Sequence, residues 1–171
     1  MEPKNTMYQK LLDATRQLST QTIIFHQHVA KSLGLNITDH KCLDIVLGMG
    51  KVTAGQLAEL TGLTTGAITN VLNRLEKAGF IRRAKDPNDK RIVYVEPVYD
   101  ALTPLFEVFA PLAEAMTDLH AKYSEEQLHL LLDYIERSKH LLIHQRNLLQ
   151  KNVVADAERA QRGRLHDQVE E

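Results

Sequence analysis

The chain has 171 residues, 43% of them hydrophobic and 25% charged, with a formal net charge of −1 and a single cysteine. That length suits one domain with a real core, filled by aliphatic side chains because Trp is absent and aromatics are only 5%. The near-neutral charge excludes an argument for nucleic acid from bulk electrostatics, so any such argument has to be local. The lone Cys42 excludes an intrachain disulfide and points to a reducing compartment. The opening Met1-Glu2-Pro3-Lys4-Asn5 leads into no apolar run of signal-peptide type, and no stretch approaches the roughly 20 apolar residues of a membrane span. A cytoplasmic protein is expected.

Residues 5 to 34 are predicted to form one long helix. Met7, Leu11, Ala14, Leu18, Phe25, Val29 and Leu33 follow helical spacing with a polar gap near Gln21-Thr22, and Gly34 ends the run. No small domain covers a stripe of that length, so a partner subunit is implied. His26 and His28, two apart, fall on different faces and are expected to be polar or core-edge residues, not metal ligands. The next helix, residues 38 to 48, is predicted to be capped by Thr38. Cys42, Leu43, Ile45, Val46 and Leu47 give it a wide apolar surface. Within that pattern Cys42 reads as a buried small hydrophobe in preference to a redox trigger, which needs exposure and a lowered pKa. Gly48-Met49-Gly50 turns the chain, and Val52 is placed to add a short third strand beside a downstream hairpin.

From Ala54 the pattern changes. A helical segment runs from Ala54 to Leu60, a break falls at Thr61-Gly62-Leu63, and a second helix runs from Thr64 to Ala78, with Gly79 as its left-handed cap. Ala58, Gly62, Ile68 and Val71 make a helix-turn-helix pattern, and Thr64 is the predicted N-cap. Ile68, Val71, Leu72, Leu75 and Ala78 share one face. The other face shows Thr65, Thr69, Asn70, Asn73, Arg74 and Lys77. Thr and Asn are weak helix formers, but they suit base edges in a major groove, where Asn bonds adenine and a Thr methyl meets a thymine methyl. An amphipathic helix built of weak formers is the competing explanation for this face alone.

Two β-prone runs come next, Phe80 to Ala84 and Arg91 to Val95, joined by Lys85-Asp86-Pro87-Asn88-Asp89-Lys90. From Arg74 to Arg91 the cations Arg74, Lys77, Arg82, Arg83, Lys85, Lys90 and Arg91 outnumber the acids Glu76, Asp86 and Asp89 by seven to three. Lys90-Arg91 puts a cation at the hairpin tip, where it can enter a narrow minor groove.

Residues 99 to 121 are predicted helical, with Phe106, Phe109, Leu112, Ala113, Met116 and Leu119 on the apolar side and Pro104 in the first turn. Pro111 either kinks this helix or begins a second one. Ser124-Glu125-Glu126-Gln127 is a capping box opening a helix to about Gln150, lined by Leu128, Leu131, Leu132, Ile135, Leu142 and Leu149. Its stripe is again wider than one chain covers, so the helices at both ends are expected to form one dimerisation domain. His140 and His144 share a face, but two ligands do not make a metal site, and no metal or cofactor is assigned. Residues 151–171 are expected to form a flexible tail.

The residues from 37 to 95 resemble the MarR family of transcription regulators. The matching text is Ile37-Thr38-Asp39-His40, Leu57-Ala58 through Gly62-Leu63, Ala67-Ile68-Thr69, Arg74-Leu75-Glu76-Lys77-Ala78-Gly79-Phe80-Ile81-Arg82-Arg83 and Asp86-Pro87-Asn88-Asp89-Lys90-Arg91. The resemblance implies a homodimer on pseudo-palindromic double-stranded DNA, a repressor released by a small ligand or an oxidant. It also implies a recognition helix from Thr64 to Ala78, a minor-groove Arg91 and an Asp89 that braces the wing and orients that arginine. Glu96-Pro97-Val98-Tyr99-Asp100 departs from the Leu-Thr-x-x-Gly that the family commonly shows there, leaving the start of the next helix open.

The expected architecture is mainly α with a small β-hairpin wing: a winged helix-turn-helix over 37–97, dimerisation helices over 1–36 and 98–150, and the tail. The expected DNA contacts are Thr64, Thr65, Thr69, Asn70, Asn73, Arg74, Lys77, Arg83, Lys85, Asp89, Lys90 and Arg91. By position alone Phe25, Phe106 and Phe109 are candidates for an effector pocket. The rival from another class is a winged-helix module that binds protein instead of DNA. An enzyme is not expected, because the sequence offers no nucleophile–base arrangement, no phosphate-cradling glycine loop and no convincing pair of carboxylates.

Overall fold

The computed structural model describes the backbone of residues 4–167 and the side-chain surroundings of residues 6–150. Among the described residues, six α-helices and three short strands occur in the order α1 (Lys4–Ser32), α2 (Ile37–Met49), β1 (Val52–Thr53), α3 (Ala54–Thr61), α4 (Thr65–Lys77), β2 (Ile81–Lys85), β3 (Val93–Pro97), α5 (Thr103–His120) and α6 (Glu125–Asp167). The chain divides into two compact units, one ending at Pro111 and the other beginning at Leu112.

The first unit holds the core. Val29 of α1, Leu43 and Val46 of α2, Leu57 of α3, and Ile68, Val71, Leu72 and Leu75 of α4 are buried together with Val52, Ile81 and Val95 of the sheet and Leu102 and Leu105 ahead of and within α5. The apolar face predicted for α4 is therefore the buried one, except for Ala78 at its C-terminal end, which is exposed. Burying each of these aliphatic side chains stabilises by roughly 1.5–3 kcal/mol relative to leaving it in water. Cys42 is buried in this core, as its place in an apolar pattern implies.

Local signals set the element ends. Asn36, not Thr38, caps α2: its side chain accepts from the Asp39 N–H. Asn36 precedes the first helical residue with extended backbone, whereas Thr38 already lies inside the helix, where a hydroxyl cannot serve as N-cap. Thr53 and Gln56 form a capping box at the start of α3. Thr64 caps α4 as expected, accepting from the Ala67 N–H at 3.2 Å. Gly79 has φ +82°. Its N–H reaches the Glu76 carbonyl and the Phe80 N–H reaches the Leu75 carbonyl, the two bonds of a left-handed helix stop.

The sheet has the order β1-β3-β2, all antiparallel, so Val52 does add the third strand, opposite Val95. In the hairpin Arg82 faces Glu96 and Arg83 faces Val95. β3 begins at Val93, two residues later than the sequence suggested, because Arg91 and Ile92 are drawn into the turn. The Asp89 carboxylate accepts the Arg91 N–H, and the Asp89 carbonyl accepts the Ile92 N–H.

After β3 a 3-10 turn over Tyr99–Leu102 leads into α5 at Thr103, which is where the Glu96–Asp100 departure from the family pattern resolves. Pro111 sits inside a continuous α5 and does not start a new helix. The carbonyl that it leaves without an intrahelical donor belongs to Glu107, an exposed residue.

In the second unit, Ser124 and Gln127 exchange the two bonds of the predicted capping box at the head of α6. The helix expected to end near Gln150, with a flexible tail beyond it, instead continues to Asp167. The added stretch holds three Ala and three Arg, which propagate a helix well. Residues 168–171 lie outside the described residues.

Candidate nucleic-acid interface

Two segments carry the expected contact residues: the polar face of α4, and the turn between β2 and β3. Thr65, Thr69, Asn70, Asn73 and Lys77 are all exposed on α4, and Thr64 is exposed at its N-cap. They are exposed because the opposite face, Ile68-Val71-Leu72-Leu75, is fully committed to the core. The Thr69 hydroxyl donates back to the Thr65 carbonyl at 2.9 Å.

The wing turn is braced by its own acids. Asp86 Oδ1 accepts the N–H groups of Asn88 at 2.8 Å and Asp89 at 3.0 Å. These bonds hold the Asp86 carboxyl below its ordinary pKa. Asp89 grips Arg91 at three points: Oδ1 takes the backbone N–H and Nε, both at 3.0 Å, and Oδ2 takes Nη2 at 2.9 Å. The Arg91 guanidinium is the main reason that the Asp89 carboxyl is also held low. Yet the Arg91 side chain stays 90% exposed, so it is aimed without being covered. Lys85 and Lys90 flank it, both exposed.

Besides Asp89 and Arg91, three of the expected contacts, Asn73, Arg74 and Arg83, are engaged inside the protein. Arg83 bonds the Glu76 carboxylate through Nη1 and donates from Nη2 to Asn73 Oδ1 at 2.8 Å, joining β2 to the C-terminal half of α4. Arg74 makes a two-point ion pair with Asp39 of α2. Helix α4 is thus held on one flank by the wing and on the other by α2. Sequence reasoning missed Asp39, which lies 35 residues from Arg74 and carries no local signal of that pairing. It also missed Lys51, whose ammonium stands 3.9 Å above the Tyr94 ring and adds a cation at the base of the wing.

The expected effector residues come together only in part. Phe25 and Phe109 meet edge to face at 5.5 Å, and the rings of His26 and His40 complete an aromatic cluster among α1, α2 and α5. Phe106 is exposed and outside that cluster. Leu102, just ahead of α5, lines up with Leu105 and Phe109 on it along the inward face, which turns Phe106 away.

Residues 35–93 match the model of the MarR family. An HTH-type transcriptional regulator of Bacillus subtilis, YcgE, is 42% identical over 127 residues, 74% of this chain and 82% of that protein. The chain belongs to the MarR family. Its fold is also that of MarR from E. coli, solved as a cysteine-to-serine mutant complexed with operator DNA, at a TM-score of 0.51 and 17% identity over 80% of this chain and 99% of that one. NadR, solved in complex with 4-hydroxyphenylacetate, shares the fold at a TM-score of 0.54 and 22% identity over 75% of this chain and 88% of that one. Membership in this family makes the protein a DNA-binding transcription regulator with a winged helix-turn-helix. No helix among the described residues is long and apolar enough to cross a membrane.

Proposed function

We infer that the protein is a homodimeric, sequence-specific repressor that lays one α4 in the major groove of each half-site and one wing in the flanking minor groove. The observation that carries this reading is the pairing of an exposed Thr/Asn face on α4 with an Arg91 that is oriented by Asp89 and still open to solvent. Thr65, Thr69 and Asn70 read base edges, while Lys77, Lys85 and Lys90 meet phosphate and displace counterions. Thr64 presents the N-terminus of α4 to the backbone. Asn73 and Arg83 act as a pair that ties the wing to the reading helix. Residues 37–97 form the DNA-binding unit, and the helices over 1–36 and 98–150 form the dimerisation domain.

Exposed apolar side chains support the dimer. Met7, Leu11 and Leu18 on α1, Leu112, Met116 and Leu119 on α5, and Leu131, Ile135, Leu142 and Leu149 on α6 are all open to solvent in the single chain. A second copy that covers them sets two recognition helices about one helical turn apart, 10–10.5 bp. An aromatic or otherwise apolar small molecule releases the DNA by favouring a dimer whose helix spacing no longer fits; NadR, of the same fold, was solved with the aromatic 4-hydroxyphenylacetate. Phe25 and Phe109 are the better-placed candidates to meet it. The reading assigns no catalytic step and puts the protein in the cytoplasm, beside the DNA it controls.

The test is affinity for the intergenic DNA upstream of its own gene against scrambled DNA, across a salt series. Preference for the upstream sequence, with affinity that falls steeply as salt rises, is the expected result. Binding without preference to that DNA and to a genomic-fragment library alike would overturn it.

A further inference from the structure

Arg74 lies on α4 among the residues expected to touch DNA, yet its guanidinium is already bound. Nε donates to Asp39 Oδ2 at 2.8 Å and Nη2 to Oδ1 at 2.6 Å. Asp39 is not a surface acid: its side chain is 3% exposed, against 50% for Arg74. The same carboxylate takes a third bond from Asn36 Nδ2 at 2.9 Å, while Asn36 Oδ1 holds the Asp39 N–H at 2.8 Å. A buried carboxylate in the first turn of α2 is therefore fixed by that helix's own cap and reaches across to the last turn of α4.

Two physical facts give the pair its character. A buried carboxylate stripped of its cation is strongly disfavoured, so Asp39 holds what it has. A two-point guanidinium fork fixes angle as well as distance. Elsewhere α2 and α4 meet through the apolar core that contains Leu43, Val46, Val71 and Leu75, and apolar contact is non-directional. Asn70 and Arg74 are four apart and share one edge of the helix, with Thr69 and Asn73 beside them. Whatever fixes Arg74 fixes the rotation at which those side chains are presented.

We propose that Asp39 is the positioning residue of the recognition helix, holding Arg74 so that α4 keeps the rotation its base-reading face requires, and that Arg74 serves as this anchor and not as a phosphate contact. The proposal rests on the role of α4 in reading DNA. It adds a buried acid to the residues on which sequence preference depends, and it removes one cation from the phosphate contacts.

The two roles for Arg74 give opposite signs in Asp39→Asn. For an anchor, affinity for the preferred DNA falls by about tenfold or more, the order of one misplaced bidentate base contact, while binding to scrambled DNA is unchanged. The slope of log K against log[salt] also stays at the wild-type value, because the number of phosphates neutralised is unaltered. For a phosphate contact sequestered by Asp39, the same change frees a cation: both affinities rise, and the slope steepens by about 0.9 for each additional phosphate neutralised.

Arg74→Lys checks the result at a half-exposed position with little risk to folding. It keeps the charge and loses the fork. Loss of preference with an unchanged slope is expected, and near wild-type preference would overturn the proposal. If wild-type protein shows no DNA preference at all, the reading of α4 fails instead. The anchor is then tested by hydrogen exchange in the free protein. Faster exchange of the α4 amides in Asp39→Asn supports it, and unchanged exchange overturns it.

Discussion

His26 Nδ1 lies 3.0 Å from His40 Nε2, so α1 and α2 are joined by a bond between two imidazoles, one of which must donate and the other accept. His40 is buried, and its Nδ1 has no hydrogen-bond partner among the described residues. Burial foremost, then His26, then Lys41 push its pKa below 6.5, against the opposing pull of Asp44. His40 therefore takes up a proton less readily in the folded chain than in the unfolded one, which is protonated as pH falls through about 6.5. The stability this group contributes is present above that value and is lost as pH drops toward the folded pKa. The denaturant midpoint of wild type should fall between about pH 7.5 and about pH 5.5. His40→Leu, which removes the titrating group and its orphaned nitrogen, should show a smaller fall over the same range.

The Asp89–Arg91 brace makes a prediction against simple electrostatics. Asp89→Ala removes an acid from a basic wing, which by charge alone should tighten DNA binding. If the three bonds from Arg91 to Asp89 aim the guanidinium, the variant binds more weakly. Arg91→Ala should weaken binding by about tenfold and make its salt dependence shallower. In the double variant, the Asp89 change should add little to the loss caused by Arg91→Ala, because both act through one contact. Titrations of the three variants against the same DNA measure all of this.

Cys42 should be a poor oxidant sensor. Burial first, and the Asp39 charge second, push its thiol above its ordinary pKa, and the thiolate is the reactive form. An aromatic disulfide reagent at neutral pH should titrate the thiol in denaturant and react far more slowly with folded protein. Mild peroxide should leave DNA affinity unchanged. Rapid labelling of folded protein would show that the site opens on the timescale of the experiment.

The helix-turn-helix should be far more sensitive to its core than to its caps. Leu75→Ala, at a fully buried position, is expected to cost about 2–5 kcal/mol of unfolding free energy. Thr64→Ala removes the bond from Ala67 N–H and should cost about 1 kcal/mol. Chemical denaturation of the two variants, with wild type as reference, gives the ratio.

Local chemistry made much of this protein legible in its sequence. The Thr64 cap, the Gly79 stop, the apolar stripe of α4, the Asp86–Arg91 turn and the Ser124 capping box each depend on residues no more than a few positions apart, so spacing alone carries the signal. The cases that spacing left open were also local, but they depended on competition. Asn36 and Thr38 are both good caps, and extended backbone at Asn36 decided between them. Arg91 has β-prone neighbours, and Asp89 drew it into the turn.

Only the tertiary structure decided what the polar face of α4 does with its side chains. From the sequence, Asn73, Arg74 and Lys77 are equivalent exposed polar residues on one helix. In the fold Asn73 is claimed by Arg83, Arg74 by Asp39, and Lys77 remains open. The physical reason is that a charged side chain pairs with whatever opposite or polar group the packing of other helices brings within reach. That group, here 35 residues away, leaves no periodicity in the chain. The sequence therefore determined the family, the elements and the polar face of α4, and the packing of α2 and the wing against α4 determined which of those side chains are engaged inside the protein.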